Sequence, residues 1–253
     1  MRNILKIIFI SVRSILLFIV VSAVLTAATK NVQTTILVEN FKSKGVYQED
    51  ISTSIVKYYK ILSDEENPTY LVDGKTIIPG NSCDILTTKQ AELGGPLTRG
   101  FIQFFAGGHA ALCSEEYTDF ETKLNDFTSI EATGLNDGDD NSASVFYRDY
   151  WADDYTYTEI IGLRVKMNDR EKKEVLANAS AYLGEDYNYS FLFNTSTKTY
   201  CSDLISKAYS TIGVNLNKDG FTTSVYDLIV SNETYISYYH YFKDGIKYIY
   251  YLG

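Results

Sequence analysis

An amphipathic segment with a cysteine at its start constrains the fold of this chain more than any other feature. Gly213 follows this segment and is typical of a helix C-terminus. The apolar residues after Cys201, all at helical spacing, are Leu204, Ile205, Ala208, Tyr209 and Ile212. The spacing therefore predicts a helix with one buried stripe and with Cys201 in its first turn.

The position of Cys201 in this helix has two interpretations. Backbone amides in the first turn lack partners within the helix, and the positive end of the helix dipole favours a thiolate, which is the nucleophilic form of cysteine. Free cysteine is also among the most frequently buried residue types. Cys201 is therefore either a nucleophile or a small buried side chain, and other parts of the chain have to decide between them.

Composition bounds the fold class and the partners. With 253 residues, of which 45% are hydrophobic, the chain is long enough for one domain with a sizeable core and an appendage. The 22 tyrosines favour β structure beside the helices, which predicts an α+β fold. A net charge of -9, with no basic cluster in the body of the chain, argues against a nucleic-acid partner.

The first residues have the features of an export signal. Arg2 and Lys6 precede an uncharged, mostly apolar stretch that ends at Ala28. Cleavage after Ala27 or Ala28 makes residues 1–28 a signal peptide. Without cleavage they form a membrane anchor, although Arg13 leaves the apolar run only marginally long enough to span a bilayer. Either way we expect the protein to be secreted or anchored to the outer face of the cytoplasmic membrane.

Residues 29–77 are predicted to form an N-terminal extension without catalytic residues. Residues 30–40 are polar and β-prone, residues 50–62 carry apolar side chains at helical spacing, and residues 70–78 indicate a hairpin closed at Asp-Gly. This extension either packs against the later domain or spaces it from the membrane. The catalytic domain is expected over residues 78–253.

The later domain alternates strand and helix signals. Strands are predicted at residues 82–88, 107–113, 127–133 and 158–165, with one or two closing strands at residues 235–252. Helices are predicted from Asn168 or Asp169 to residue 183 and, as a short element, at residues 221–231.

Only two histidines are available as a base for a thiol. His109 enters a strand through Gly107 and Gly108, which would let another backbone or a ligand come close. It is either structural or a catalytic base. His240 lies in an aromatic run typical of a core or edge strand. Glu131 lies on the strand after His109, where it either faces solvent or orients an imidazole.

Three cysteines are an odd number for an exported chain. One alternative is a disulfide between Cys83 and Cys113 that leaves Cys201 free, and the other is three free thiols. The second is the default because cross-strand disulfides are often strained. The acidic residues 136–141 lack the spacing of a calcium loop, so no metal site is predicted.

The order histidine, glutamate, cysteine resembles a permuted branch of the papain-fold cysteine amidohydrolases, the NlpC-type, YiiX-like family. Ordinary papain-like enzymes place the cysteine first, so this order implies a circular permutation. The motifs that carry the resemblance are residues 80–86 (GNSCDIL), 108–112 (GHAAL), 130–132 (IEA), 182–187 (YLGEDY) and 200–205 (YCSDLI). Two positions depart from the family pattern: Cys83 replaces a usual glycine and Asp203 a usual glutamate.

The resemblance covers roughly residues 78–230 and implies a small antiparallel β barrel or sheet packed against the cysteine helix and the helix before it. It implies that Cys201 attacks an amide carbonyl, that His109 is the base and that Glu131 holds the imidazole, with an acyl-enzyme as intermediate. It implies no cofactor.

The substrate is the most open point. The aromatic connector at residues 187–193 would form a wall beside the thiol. The residues expected to contact substrate are Tyr187, Tyr200 and Gly108. A peptide of the cell wall, such as peptidoglycan, is the first expectation, and a lipid or acylated amine that loses its acyl chain is the alternative. The rival class is a non-catalytic surface binding module on the same fold.

Overall fold

The structure is a computed structural model that describes residues 2–63, 71–72, 76–77, 79–90, 96–114, 128–134, 145–148, 151, 156–191, 197–217 and 222–253. Its helices are α1 (Arg2–Lys42), α2 (Pro96–Ala106), α3 (Asp169–Ser180), α4 (Cys201–Ser210) and α5 (Val225–Val230). Its strands are β1 (Val46–Tyr47), β2 (Val56–Ile61), β3 (Leu71–Val72), β4 (Thr76–Ile77), β5 (Ile85–Thr88), β6 (His109–Cys113), β7 (Ser129–Ala132), β8 (Val145–Arg148), β9 (Glu159–Val165), β10 (Thr234–Lys243) and β11 (Ile246–Leu252).

One large sheet organises the described part of the chain. Its nine strands follow the order β1-β2-β11-β10-β9-β5-β6-β7-β8. Neighbouring strands are antiparallel except β11 and β2, which are parallel. The sheet is open, with β1 and β8 at its edges, and helices pack against it. The expected α+β class is therefore confirmed, in the form of a sheet and not a closed barrel.

The core lies on both faces of the sheet. Ala110 and Leu112 of β6 belong to the same hydrophobic cluster as the buried stripe of α4. Ala111 and Cys113, which point the other way because side chains alternate along a strand, belong to a second cluster around Trp151. The two faces of β6 therefore meet different partners.

Several predicted elements are confirmed. The cysteine helix begins at Cys201, and β5, β6, β7 and β9 lie within the four predicted strands. The predicted closing strands are β10 and β11, the short helix is α5, and the hairpin is β3 with β4, whose Asp-Gly turn is outside the described residues. Asn168 caps α3 in a capping box with Glu171, but α3 ends at Ser180, before the predicted residue 183.

The strand preference predicted for residues 30–40 is wrong, because these residues continue α1. The buried side chains of this part of α1 recur at helical spacing: Ala27, Thr34, Val38 and Phe41. They face the domain, where α1 contacts α5 and β10. Packing of this stripe outweighs the weak local preference for strand.

The predicted helix at residues 50–62 is also wrong. Residues 56–61 form β2, which pairs with β1 on one side and with the C-terminal strand β11 on the other. Tyr, Val and Ile are good strand formers, and the two neighbours satisfy the backbone of β2 on both edges. The N-terminal extension therefore packs against the later domain by adding strands to its sheet.

Helix α2 was not predicted. Pro96 occupies its first position, where a missing N–H costs nothing, and Gly107 follows its end with φ +83°. The aromatic run at residues 101–105 lies within α2, directly before His109.

Helix α1 is held to the domain by polar contacts as well as by packing. Lys30 Nζ lies 2.5 Å from Asp227 Oδ1, and both side chains are largely buried. Asn31 donates to the Tyr226 hydroxyl at 2.8 Å. Among the described residues, α1 is the one helix long and apolar enough to cross a membrane.

The substitution Lys30→Met is expected to lower the free energy of unfolding by about 2 kcal/mol, because it leaves the Asp227 carboxylate buried without its cation. Thermal unfolding of the detergent-solubilised full chain measures the change. Lys198→Met is the matched control, since both side chains of the Lys198–Asp186 pair are about half exposed and the pair should be worth less than about 0.5 kcal/mol. Equal effects of the two substitutions would contradict a structural role for the Lys30 pair.

Candidate active site

Neighbouring strands bring His109 and Glu131 into direct contact. The pairing of Leu112 with Ile130, continued along the two strands, sets Ala111 opposite Glu131, so the His109 and Glu131 side chains emerge diagonally on one face. His109 Nε2 lies 2.5 Å from Glu131 Oε2. Glu131 is fully buried, which excludes the solvent-facing alternative.

Trp151 covers this pair. Its ring lies over His109 with a centroid separation of 5.8 Å and an interplanar angle of 21°. Its Nε1–H points at both carboxylate oxygens of Glu131, at 3.4 Å each. A buried tryptophan at this point excludes water and strengthens the hydrogen bond beneath it. Sequence reasoning missed this role; the only available signal was that Trp151 is the only tryptophan in the chain.

Gly108 fixes the start of β6. Its φ is +110°, and a Cβ at this position would lie 2.0 Å from the Thr88 carbonyl oxygen. Only glycine fits, because the end of β5 approaches here and pairs Thr88 with His109. The expected close approach of another backbone is confirmed. Gly108 as a substrate contact stays a prediction.

Cys201 is the first residue of α4 and is buried. Tyr200, the residue before it, caps none of the first-turn amides with its side chain. The Asp203 carboxylate is held by the Thr199 hydroxyl at 3.1 Å and by Lys207 Nζ at 2.7 Å. Helix α4 packs against β6 and β7, so it ties Cys201 to the strands that carry His109 and Glu131.

A chain of contacts indicates that Cys201 and His109 lie at the same end of the sheet. The ring of Tyr200 packs against Phe191 at 5.4 Å. Tyr189, two residues earlier, donates to the Gly134 carbonyl at 3.1 Å, just beyond the end of β7. Because β6 and β7 are antiparallel, that is also the end at which β6 begins with His109.

The thiol and the imidazole are nevertheless not hydrogen-bonded. The described hydrogen bonds of Cys201 and His109 include none between their side chains. The His109 ring lies on the Trp151 side of β6, whereas Cys201 belongs to the cluster on the α4 side. The structure therefore joins His109 to Glu131 directly and leaves Cys201 nearby without that contact.

An aromatic cluster adjoins Cys201. Ring contacts run from Tyr189 to Tyr187 at 5.0 Å, from Tyr187 to Phe191 at 5.9 Å and on to Tyr200. Burial, with a further contribution from Asp203, raises the pKa of Tyr200, so its phenol stays neutral at physiological pH. Tyr187 and Tyr200 are both buried within this cluster. Their contact with a substrate stays a prediction.

His240 is a buried structural residue of β10. Its Nε2–H donates to the Tyr157 carbonyl at 3.3 Å, and its Nδ1 accepts from the Tyr238 hydroxyl at 2.9 Å. Burial, with a further contribution from Lys247, lowers its pKa to about 3. A neutral ring with both nitrogens engaged fits the expected core position.

All three cysteines are free thiols. Cys83 has φ +65°, in the left-handed region that favours glycine. The next residue, Asp84, accepts a bidentate pair of hydrogen bonds from Arg164 at 2.8 and 2.7 Å. Burial raises the pKa of the Cys113 thiol well above its usual value.

One protein-family model matches residues 108–233, and its description is a permuted papain-like amidase enzyme of the YaeF/YiiX, C92 family. The matched span includes His109, Glu131 and Cys201. The chain belongs to this family. Its fold is accordingly a permuted papain-like fold, and its class of activity is that of a cysteine peptidase or amidase, a hydrolase.

Among solved structures, the metalloprotein yiiX from Escherichia coli O157:H7, DUF1105, is similar to this C92-family chain. It is 13% identical, with a TM-score of 0.47, and the likeness covers 63% of this chain and 97% of that one. No curated protein sequence matches the chain.

His240 is expected to make the protein less stable in acid. Its pKa of about 3 in the folded protein lies below the usual 6.5, so the unfolded chain binds more protons between these values and stability falls as pH drops from about 6.5 towards 3. His240→Gln should flatten this fall. Urea unfolding midpoints at pH 7.5 and pH 5 measure it, and an unchanged difference between the two pH values in His240→Gln would show that other groups cause the acid sensitivity.

Proposed function

We propose that this protein is an exported, membrane-anchored cysteine amidase in which Cys201 is the nucleophile, His109 the base and Glu131 the residue that orients the base. The observation that carries the proposal is the buried His109–Glu131 pair at 2.5 Å under Trp151, on the strands against which the Cys201 helix packs. Membership of a cysteine amidase family supports the same assignment.

The two ring nitrogens of His109 have different roles in this mechanism. Its Nε2–H donates to Glu131, since an ionised carboxylate can only accept. Its Nδ1 is then the atom that takes the proton from Cys201. The His109 ring lies on the Trp151 side of β6 and Cys201 on the α4 side, so the thiol–imidazole contact requires a movement at this end of the sheet. We expect the bound substrate to bring it about, since catalytic hydrogen bonds often form fully only in the substrate complex.

The Cys201 thiolate attacks the amide carbonyl, and the negative charge that develops on the carbonyl oxygen faces the amides at the start of α4. Glu131 stabilises the imidazolium, which then returns its proton to the leaving amine as the carbon–nitrogen bond breaks. An acyl-enzyme remains. Water attacks it while His109 takes a proton, and the acid is released from Cys201 with its thiol restored.

A peptide amide of the cell wall is the first candidate substrate, because an exported amidase meets that material. The aromatic cluster beside Cys201 supports a second candidate, an amide with a long acyl chain, since apolar rings favour apolar chains over polar peptides. Turnover of purified peptidoglycan against a panel of acyl amides separates the two candidates. A non-catalytic binding module would turn over neither.

We further propose that residues 1–28 stay attached as an anchor. Ala27 is buried in α1, and the contacts of Lys30 and Asn31 with α5 follow within one helical turn. Cleavage after Ala27 or Ala28 would cut α1 inside the part that packs on the domain. N-terminal sequencing of the membrane fraction tests this: a mature chain that begins near Thr29 would favour the signal-peptide alternative.

Substitutions at the three residues should differ in severity. Cys201→Ala should abolish turnover, and His109→Ala should lower kcat by about 10³-fold or more because the thiol loses its base. Glu131→Gln should cost about 10- to 100-fold, since an amide oxygen still accepts from the imidazole but no longer stabilises its charge. Initial rates on the substrate found above measure these effects.

The matched control for the thiol is Cys113→Ala, which removes a buried thiol of the Trp151 cluster that has no role in the proposed mechanism and should leave the rate nearly unchanged. Circular dichroism has to show that each variant is folded. A rate unaffected by His109→Ala would disprove the assignment of the base.

The thiols should also differ in reactivity at neutral pH. Cys201 should be alkylated by iodoacetamide before Cys83 and Cys113, because it lies at the start of a helix, whereas burial disfavours the Cys113 thiolate. Peptide mapping by mass spectrometry after brief labelling measures the order. First labelling of Cys83 or Cys113 in the folded protein would count against a nucleophilic Cys201.

A further inference from the structure

Helix α2 presents an apolar stripe to the outside of the protein. Leu97, Phe101 and Phe104 follow one another at i, i+4 and i+7, which places them on one face of the helix. Leu97 is 93% exposed and Phe101 is 64% exposed. Three large apolar side chains in a row are unfavourable in water, and such surfaces in soluble proteins mark a contact with a partner or a membrane.

The position of α2 along α1 identifies the partner. The Tyr226 hydroxyl accepts from Asn31 of α1 at 2.8 Å and donates to the Gln103 carbonyl of α2 at 2.9 Å, so Gln103 lies beside Asn31. The continuous exposed apolar run of α1 ends at Leu25, although Val32, Ile36 and Leu37 are further exposed apolar side chains among the polar residues beyond it. Asn31 comes six residues after Leu25, which is about 9 Å along the helix axis.

That distance corresponds to the edge of a bilayer. If the exposed apolar run of α1 occupies the hydrocarbon core, Gln103 lies about 9 Å from the edge of that core. The polar interface is about 5–8 Å thick on each side, so α2 lies at its outer boundary, where apolar side chains directed towards the bilayer would enter the headgroup layer. The stripe on α2 and the exposed run of α1 would then be parts of one apolar surface around the same membrane.

We propose that α2 is a membrane-interface helix whose Leu97, Phe101 and Phe104 insert into the outer surface of the bilayer that α1 spans. This inference rests on the anchoring role of α1 in the proposed function. Amphipathic helices with Phe and Leu on the apolar face bind membranes in this way.

The charge of α2 suits this location. The chain as a whole is acidic, with a net charge of -9, yet the sequence of α2, PLTRGFIQFFA, contains no acidic residue and one arginine. An acidic surface would be repelled by anionic headgroups, whereas this helix is not. The apolar stripe therefore lies on a segment that can approach a lipid surface.

Contact of α2 with the membrane would also bring the active site close to the lipid. Helix α2 ends at Ala106, and Gly107 and Gly108 lead directly to His109. A helix lying in the interface would hold the His109 end of the sheet close to the lipid surface. Substrates that partition into that surface would then reach the site most easily, which favours the acyl amide among the two candidate substrates.

Variants with one added tryptophan test the inference without any assay of activity. Phe101→Trp places a reporter on α2, Phe18→Trp one on the apolar run of α1, and Leu62→Trp a matched control, since Leu62 is 78% exposed in the extension. Each full-length variant is reconstituted in phosphatidylcholine vesicles with and without lipids brominated near the headgroup end of the chain. The emission of the buried Trp151, measured in the unsubstituted protein, is subtracted.

We expect brominated lipid to remove about half or more of the Phe101→Trp emission, and to quench Phe18→Trp as well, while Leu62→Trp is unaffected. Quenching of Phe18→Trp without Phe101→Trp would overturn the inference and leave the anchor in place. Quenching of neither variant would show that α1 does not anchor the protein in the membrane. A blue-shifted but unquenched Phe101→Trp whose emission depends on protein density would assign the stripe to a second copy of the chain and overturn the membrane contact.

Discussion

The packing of α4 on β6 and β7 is the contact on which the candidate site depends. Leu204, Ile205, Ala208 and Tyr209 are fully buried, and each buried Leu or Ile contributes about 1.5–3 kcal/mol. The Tyr209 hydroxyl donates to the Cys83 carbonyl, which ties α4 to the entry of β5 as well. Because the stripe begins three residues after Cys201, the same packing that stabilises the core determines where the thiol lies.

Two buried polar pairs limit how this core can be arranged. Asp84 and Arg164 join β5 to β9 through two parallel hydrogen bonds, and His109 and Glu131 join β6 to β7. Each pair loses its hydration on folding, so it is stable only when both partners are aligned. A slip of register in either strand pair would leave a buried carboxylate unpaired, and the register is therefore strongly specified around the site.

Helix α1 is one continuous element with an exposed apolar part and a part that packs on the domain. Residues 9–25 of α1 present apolar side chains to the outside, and its second half packs on α5 and β10 through Val38, Phe41 and the Lys30–Asp227 pair. The next elements, β1 and β2, extend the sheet of the catalytic domain. The N-terminal region is therefore built into the domain and is not a flexible tether.

The sequence by itself determined those elements whose signals involve only neighbouring residues. The stripe after Cys201, the cap at Asn168 and the glycines before His109 each predict their structure from neighbouring residues alone, since capping, periodicity and steric freedom act within a few positions. The family motifs added the order of the site residues. Tertiary structure decided what depends on distant partners: β2 is a strand because β11 pairs with it, and residues 30–40 are helical because they pack on α5. Trp151 covers His109 and Glu131 through a contact between residues 20 to 42 positions apart, which no local pattern specifies.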